Sequence, residues 1–345
     1  MKAMVYHGPQ DIRCDEVADP DPGSADGVVV RVARAGICGS DLHIYEGHGW
    51  APPGYTTGHE AVGEIVEVGS GVRRFRTGDR VMISGAIACS TCIPCAQGRM
   101  DLCESGDASV FGIGIGAAGS QAEAVAVPGA DNTLARIPEG MTDEQALMLT
   151  DNLPTGWFGA TRADIHPGAT VAVVGLGPVG QHAVDAALVR GAARVLALDP
   201  VAERRDAAAA VGAEPIEVDD RTTERVLEAT GGRGADAVVE AVGRDDSIRL
   251  AMDIAARGAT ISVVGVAQSG ELSVPGMLMQ GKNQTLRLSL CPVQSTWNAL
   301  VPLVLEGRLS PERVVTTRMP LADGSKAYAR FHGREDGVMK VVLTP

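Results

Sequence analysis

The chain has 345 residues, more than one hydrophobic core usually serves, so two domains are expected. Its 45% hydrophobic and 21% charged residues describe a soluble globular protein, and 43 glycines imply many tight turns. A net charge of −13 and a pI near 5.0 exclude non-specific binding to nucleic acid or anionic membranes, and no apolar run approaches about 18 residues, so a cytoplasmic protein is expected.

Residues 1–35 carry short alternating or β-branched runs broken by turn residues; 19–27 is a loop and Val28–Val32 a strand. Glu60–Val68 and Arg80–Ile83 are further strands. This beginning is all-β, without helical periodicity, and predicts a compact barrel-like domain. Set within it are G-I-C-G-S-D-L-H from Gly36 and G-H-E-A-V-G from Gly58. Cys38 and His59, 21 residues apart, offer a thiolate and an imidazole, side chains that zinc prefers. A lone Cys is ordinarily a small buried hydrophobe. Here Ser40, Asp41, His43 and Glu60 add groups able to hold or pass a proton.

Next comes C-x2-C-x2-C-x7-C, formed by Cys89, Cys92, Cys95 and Cys103. Four thiolates at this spacing close a tetrahedron around one structural zinc and leave no position for substrate. The segment has little to bury, so metal supplies much of its local folding energy. Seven cysteines, with no secretion signal, favour metal binding over a disulfide framework. Met141–Leu149 reads as a helix, with Thr142 and Gln145 forming a capping box. It leads into T-D-N-L-P-T-G, which contains Asp151.

A second domain follows. Thr170–Val174 is a continuous apolar strand, succeeded by Gly175-Leu176-Gly177-Pro178-Val179-Gly180, a helix over Gln181–Arg190 and a strand over Arg194–Leu198. That strand ends at Asp199, 24 residues after Gly175. Strand, glycines, helix, strand and terminal acid together make a dinucleotide-binding fingerprint. The glycines let backbone approach a pyrophosphate at the helix N-terminus. Asp199 accepts hydrogen bonds from ribose hydroxyls and repels a 2′-phosphate, which favours NAD over NADP; Arg204 and Arg205 nearby are the features that would accommodate the phosphate. The βα alternation continues through a helix closing at Ala208–Val211 and strands at 234–243 and 259–266, as in a parallel sheet buried on both faces. Mixed short elements, a Trp297–Gly307 helix and a terminal strand over Gly337–Thr344 complete the chain.

Gly58-His59-Glu60, Gly63, Gly69 and Val72 fit G-H-E-x2-G-x5-G-x2-V. With the Cys38–His43 segment, the cysteine cluster and the glycine fingerprint, this resembles the zinc-dependent medium-chain alcohol dehydrogenase family, over nearly the whole chain. The resemblance implies an α/β protein: a GroES-like β-barrel catalytic domain (1–153, with the zinc lobe at 89–103), a doubly wound Rossmann domain binding NAD (154–288), and a return to the catalytic domain (289–345). It implies two zinc ions, one structural and one catalytic. Asp151 stands where many members have Cys as third protein ligand beside Cys38 and His59, with Glu60 a transient ligand; carboxylate oxygen binds zinc at about 2.0–2.2 Å.

The reaction so implied is reversible hydride transfer between a primary, secondary or polyol alcohol and NAD, with the metal as Lewis acid. Ser40 would take the alcohol proton and pass it through the nicotinamide ribose to His43, while Asp41 fixes the tautomer of His59. Val242, Gly243, Gly265 and Val266 match turns near the coenzyme, and Lys340 matches a basic contact to its phosphates. The lobe is expected away from the chemistry, and a homodimer or homotetramer is expected. Tyr45, His48, Trp50, Phe111, Leu153 and Trp157 are the expected pocket wall, and Gly85, in place of a bulkier residue, suggests a roomier pocket. T-D-N-L-P-T-G also resembles the glutathione-independent formaldehyde dehydrogenase branch, whose chains are usually longer. The competing class is a catalytically silent binding or structural relative, which would be favoured by loss of Cys38, His59 or Asp151; all three are present.

Overall fold

A 10-residue strand, Val28–Ile37, is the spine of the first sheet in the computed structural model, which describes residues 1–48, 51–105, 109–113, 116–267, 269–335 and 337–345. On one side it pairs antiparallel with Ala61–Val68, followed by Arg80–Ile83 and Leu134–Arg136. On the other it pairs with Lys340–Thr344, which runs parallel to Val315–Pro320, while Ala124–Val127 pairs with its first half. Val28, Val30 and Val32 alternate inward and pack with Ile65, Phe75, Val81 and Val125, a half-buried strand pattern. The register is what matters for the site. Ala35 opposes Ala61 and Ile37 opposes Val341, so Cys38, Glu60 and Lys340 are gathered at one end of the spine.

A smaller antiparallel sheet joins Asp11–Glu16, Lys2–Gly8 and Tyr55–Thr56. The capping box is present: Thr142 Oγ1 accepts from the Gln145 amide at 3.2 Å, and Gln145 Oε1 from the Thr142 amide at 3.1 Å. It starts the helix Asp143–Met148, from which Asp151 follows directly.

A second sheet is wholly parallel. Its strands lie in the order Glu214–Glu217, Arg194–Asp199, Thr170–Val174, Ala235–Glu240, Ala255–Val263 and Thr285–Leu288. Numbered by appearance this is 3-2-1-4-5-6, the doubly wound order of dinucleotide-binding domains. Val171 and Val173 join one hydrophobic core, and Ala172 and Val174 join another. Both faces are therefore apolar, which is why these strands read as unbroken hydrophobic runs.

By contact the chain forms two compact units, Met1–Pro154 with Pro292–Pro345, and Thr155–Cys291. Several details differ from the sequence reading. A single helical turn, Asp41–Tyr45, interrupts the all-β beginning. The helix expected from Trp297 starts at Val293, and the last strand is confined to Lys340–Thr344. Among the described residues, no helix is long and apolar enough to cross a membrane.

Candidate active site

Four side chains converge in the first unit: the ligand atoms of Cys38, His59, Glu60 and Asp151 all lie within 4.8 Å of one another. Cys38 Sγ is 3.4 Å from Asp151 Oδ2, which is 3.7 Å from His59 Nε2. Cys38, His59 and Glu60 are buried, and Asp151 is partly open. Ser40 Oγ stands 3.2 Å from His59 Nε2. On the far side of that ring, Nδ1 lies 3.2 Å from Asp41 Oδ1, in contact but not aligned as a hydrogen bond.

Asp41 is itself held. Its Oδ2 accepts from the Cys38 amide at 2.9 Å and from Gln121 Nε2 at 3.1 Å. Gln121 Nε2 also donates to Gly36 O, while its Oε1 accepts from Tyr328 Oη at 2.6 Å and Thr57 Oγ1 at 2.8 Å. A Cβ on Gly58 would stand 2.3 Å from Gln121 Cγ, with φ at +96°, so only glycine fits before His59. One on Gly36 would meet Glu60 Oε2.

The electrostatics favour a cation at this point. Burial pushes the Cys38 thiol up, reinforced by the neighbouring carboxylates of Asp151 and Glu60. Burial also raises the Glu60 carboxyl, with Lys340 opposing it. For Asp151 burial raises the pKa, but hydrogen bonding and charge from His59 win and hold it at about 2. Burial would lower the His59 pKa, yet Asp41 and Asp151 raise it well above the usual value. A thiol, an imidazole and two carboxylates within 4.8 Å of one another form a donor set that suits Zn2+.

Lys340 is more enclosed than the sequence suggested: its ammonium is fully buried, paired with Glu60 Oε2 and donating to Ile37 O at 3.0 Å. The cause is the strand register, which places Lys340 beside the Cys38 end of the spine. Burial opposes its charge, but Glu60 outweighs that and raises its pKa. Asn152 was not singled out from sequence: Nδ2 donates to Glu60 Oε1 at 2.9 Å and Asp151 Oδ2 at 3.1 Å. Adjacency to Asp151 was its only signal. Gln121 and Tyr328 left none.

His43 lies on the turn Asp41–Tyr45, where burial lowers its pKa. Of the expected pocket wall, Tyr45 and Phe111 belong to hydrophobic cores, Leu153 is buried and His48 is exposed. Trp157 packs on a core of the second unit, with the Arg190 guanidinium 5.4 Å over its ring; Trp50 lies outside the described residues. A Cβ on Gly85 would come 3.1 Å from His59 O, so a side chain there presses on the histidine backbone.

The cysteine lobe also assembles. The sulfurs of Cys89, Cys92, Cys95 and Cys103 lie within 4.8 Å of one another. Hydrogen bonds from Thr91 and the Cys92 amide lower Cys89 to about 6, whereas burial and neighbouring sulfurs push Cys95 up to about 12. This all-thiol set suits a closed structural zinc site.

In the second unit, Gly175 takes φ +86° and a Cβ on Gly180 would strike Gly175 O, so the helix Pro178–Val189 packs tightly under the loop. Gly177 faces open space, the cradle a diphosphate needs. Pro178 and Val179 occupy the first turn of that helix. Asp199 closes the loop, its Oδ2 accepting from the Leu176 amide at 2.7 Å and its Oδ1 from Val201 at 2.8 Å. Arg204 Nη1 is 3.9 Å from Asp199 Oδ2. Glu240 accepts from the Val242 and Gly243 amides, and a Cβ on Gly265 would collide with Gly243 N, so these turns meet backbone to backbone beside exposed Val266.

Comparison with known proteins agrees with this arrangement. Residues 24–139 match the alcohol dehydrogenase GroES-like domain, and residues 178–306 match the zinc-binding dehydrogenase family. The chain is 45% identical over 345 residues to a probable zinc-binding alcohol dehydrogenase of Mycobacterium tuberculosis, covering all of this chain and 89% of that one. Its structure superposes on the alcohol dehydrogenase TADH of Thermus sp. ATN1 with a TM-score of 0.94 at 36% identity, covering 100% and 99% of the two chains. It superposes on an NAD-dependent alcohol dehydrogenase with a TM-score of 0.88 at 26% identity, covering all of both chains.

Proposed function

Because the chain belongs to the zinc-dependent medium-chain alcohol dehydrogenase family, we propose that it oxidises small alcohols with NAD, and reduces the corresponding carbonyls, using Cys38, His59 and Asp151 to hold a catalytic zinc. The observation that carries this is the largely buried Cys–His–carboxylate cluster, within which the ligand atoms span no more than 4.8 Å. The first unit is the catalytic domain and the second the coenzyme domain.

Bound by these side chains, zinc supplies the Lewis acidity that lowers the pKa of an alcohol hydroxyl. NAD supplies the hydride acceptor. Gly175, Gly177 and Gly180 give its diphosphate room, and Asp199 selects the unphosphorylated adenosine ribose. Ser40, at the edge of the cluster, takes the substrate proton, and His43 is its onward acceptor. Burial keeps the His43 imidazole neutral near pH 7, the form able to receive a proton. Asp41 holds His59 so that Nε2 faces the cluster, and Asn152 and Lys340 fix Glu60 beside it. Glu60 is then a reserve ligand whose two oxygens already have partners. Cys89, Cys92, Cys95 and Cys103 hold a structural zinc.

A four-thiol cluster and the single thiol of Cys38, which bind metal only as reduced sulfur, support a cytoplasmic setting. Exposed Leu288 on the edge strand Thr285–Leu288, with Leu290 beyond it, supports a homo-oligomer. Zinc content and NAD reduction over a panel of primary, secondary and polyhydroxy alcohols and formaldehyde test the reading. Asp151→Ala is expected to lose the zinc of the Cys38 cluster together with activity, while Cys95→Ala loses the lobe's zinc. Full activity and unchanged zinc in Asp151→Ala would sink the assignment.

A further inference from the structure

The turn Asp41–Tyr45 ends in a specific way. Gly47 adopts φ +83°, its amide donates to Ile44 O at 2.9 Å, and the His48 amide donates to His43 O at 2.7 Å. Such paired bonds are a Schellman closure, in which the residue two past the cap folds back over the third residue from the helix end. Those positions usually carry apolar side chains in contact. Here they carry two imidazoles, His48 and His43, and the cap between them is Glu46.

The ligand atoms of His43, Glu46 and His48 lie within 4.8 Å of one another. Glu46 is oriented from outside by a residue remote in sequence: His332 Nε2 meets Oε1 at 3.1 Å, leaving Oε2 3.5 Å from His48 Nδ1. His43 is half-buried, and Glu46 and His48 are exposed, so the group is open to ions from solvent. We propose that His43, Glu46 and His48 form a third metal site, for a borderline divalent cation such as Zn2+ or Ni2+. Imidazole nitrogens favour these ions over Ca2+ or Mg2+, which prefer all-oxygen shells. His332 acts as the outer partner that fixes the carboxylate.

A cation bound there occupies the His43 imidazole and removes it as a proton acceptor. Excess metal therefore slows alcohol oxidation without touching the Cys38 cluster. This consequence rests on the role given to His43 above; the site itself does not.

The test uses full-length enzyme with both cysteine-containing clusters already loaded. It is dialysed against buffered free Zn2+, then zinc per chain and alcohol oxidation are measured on the same samples. Each variant is compared with its own rate without added zinc. Wild type is expected to take up one further zinc per chain as its rate falls on the order of 10²-fold. The double variant Glu46→Gln/His48→Asn, which alters only exposed side chains, loses both responses. His332→Ala weakens the uptake about 10–100-fold. No uptake beyond the two clusters, or further uptake that persists in the double variant, overturns the site. Uptake with an unchanged rate upholds the site and overturns the inhibition together with the relay role of His43. Absence of alcohol oxidation before zinc is added would instead overturn the functional reading, and the zinc count would still decide the site.

Discussion

Asn152 donates from one amide nitrogen to Glu60 and Asp151, so two anionic oxygens share a single neutral donor. Asn152→Leu takes the donor from Glu60 Oε1, at about 1–3 kcal/mol for a buried group left without a partner, while Asp151 Oδ2 keeps Cys38 and His59. The denaturant midpoint is expected to fall, and zinc affinity at the Cys38 cluster to weaken about 10–100-fold, as for other outer-partner losses; unchanged affinity would mean that the amide positions nothing. Lys340 gives the larger effect. Lys340→Met leaves the Glu60 carboxylate buried without its cation, a loss of about 3–5 kcal/mol, and Lys340→Met/Glu60→Gln restores most of it. Urea unfolding of the three proteins measures this, and equal stability of single and double variants contradicts it. For His43 the sign follows from burial. A lowered folded pKa means the neutral form is favoured, so its stability contribution is full above about pH 6.5 and is lost as pH falls below that value. The acid limb of kcat/KM should therefore lie below about 6.5 and vanish in His43→Asn. Cys38, His59 and Asp151 were legible because motif and chemistry coincide at each. The burial of Lys340 and the parts played by Gln121 and Tyr328 passed unnoticed, because their partners lie 64–303 positions away and only the tertiary fold brings them together.

Elements were legible where one period ran long enough. The parallel strands are apolar on both faces, and the capping box around Thr142 stood in plain sequence. The turn Asp41–Tyr45 was not, because five residues give no periodicity, and it carries His43. Thr142→Ala removes the acceptor for the Gln145 amide and should cost about 1 kcal/mol, read as a shift in urea midpoint without a change in slope. The lobe is a different case. Its helical pieces are four and three residues long, Ile93 and Leu102 are exposed, and Cys95 is its one buried cysteine. Little apolar burial opposes its loosening, so its order depends on metal. Removing zinc, or Cys103→Ser, should expose Arg99 to trypsin while cleavage elsewhere is unchanged. Resistance at Arg99 after verified zinc loss would show that the lobe holds itself.

At the scale of the molecule, each unit has its own core and its own ligand chemistry, and ligand binding should appear as stability within the unit that holds the residues. A ligand that binds only the native state stabilises by about 2.7 kcal/mol at one hundred times its Kd. Amide hydrogen exchange resolves where that falls. NAD should slow exchange at Leu176, already bonded to Asp199, and at Val242 and Gly243, already bonded to Glu240, because Val242 abuts Gly175 of the same glycine loop. Zinc removal should speed exchange at the Cys38 amide, held by Asp41, and through 89–103. NADP at the same concentration should protect the Leu176 loop much less, because its 2′-phosphate meets the Asp199 carboxylate. Equal protection by the two coenzymes would mean that Arg204, 3.9 Å from that carboxylate, offsets its charge, and the preference for NAD assigned to Asp199 would fall.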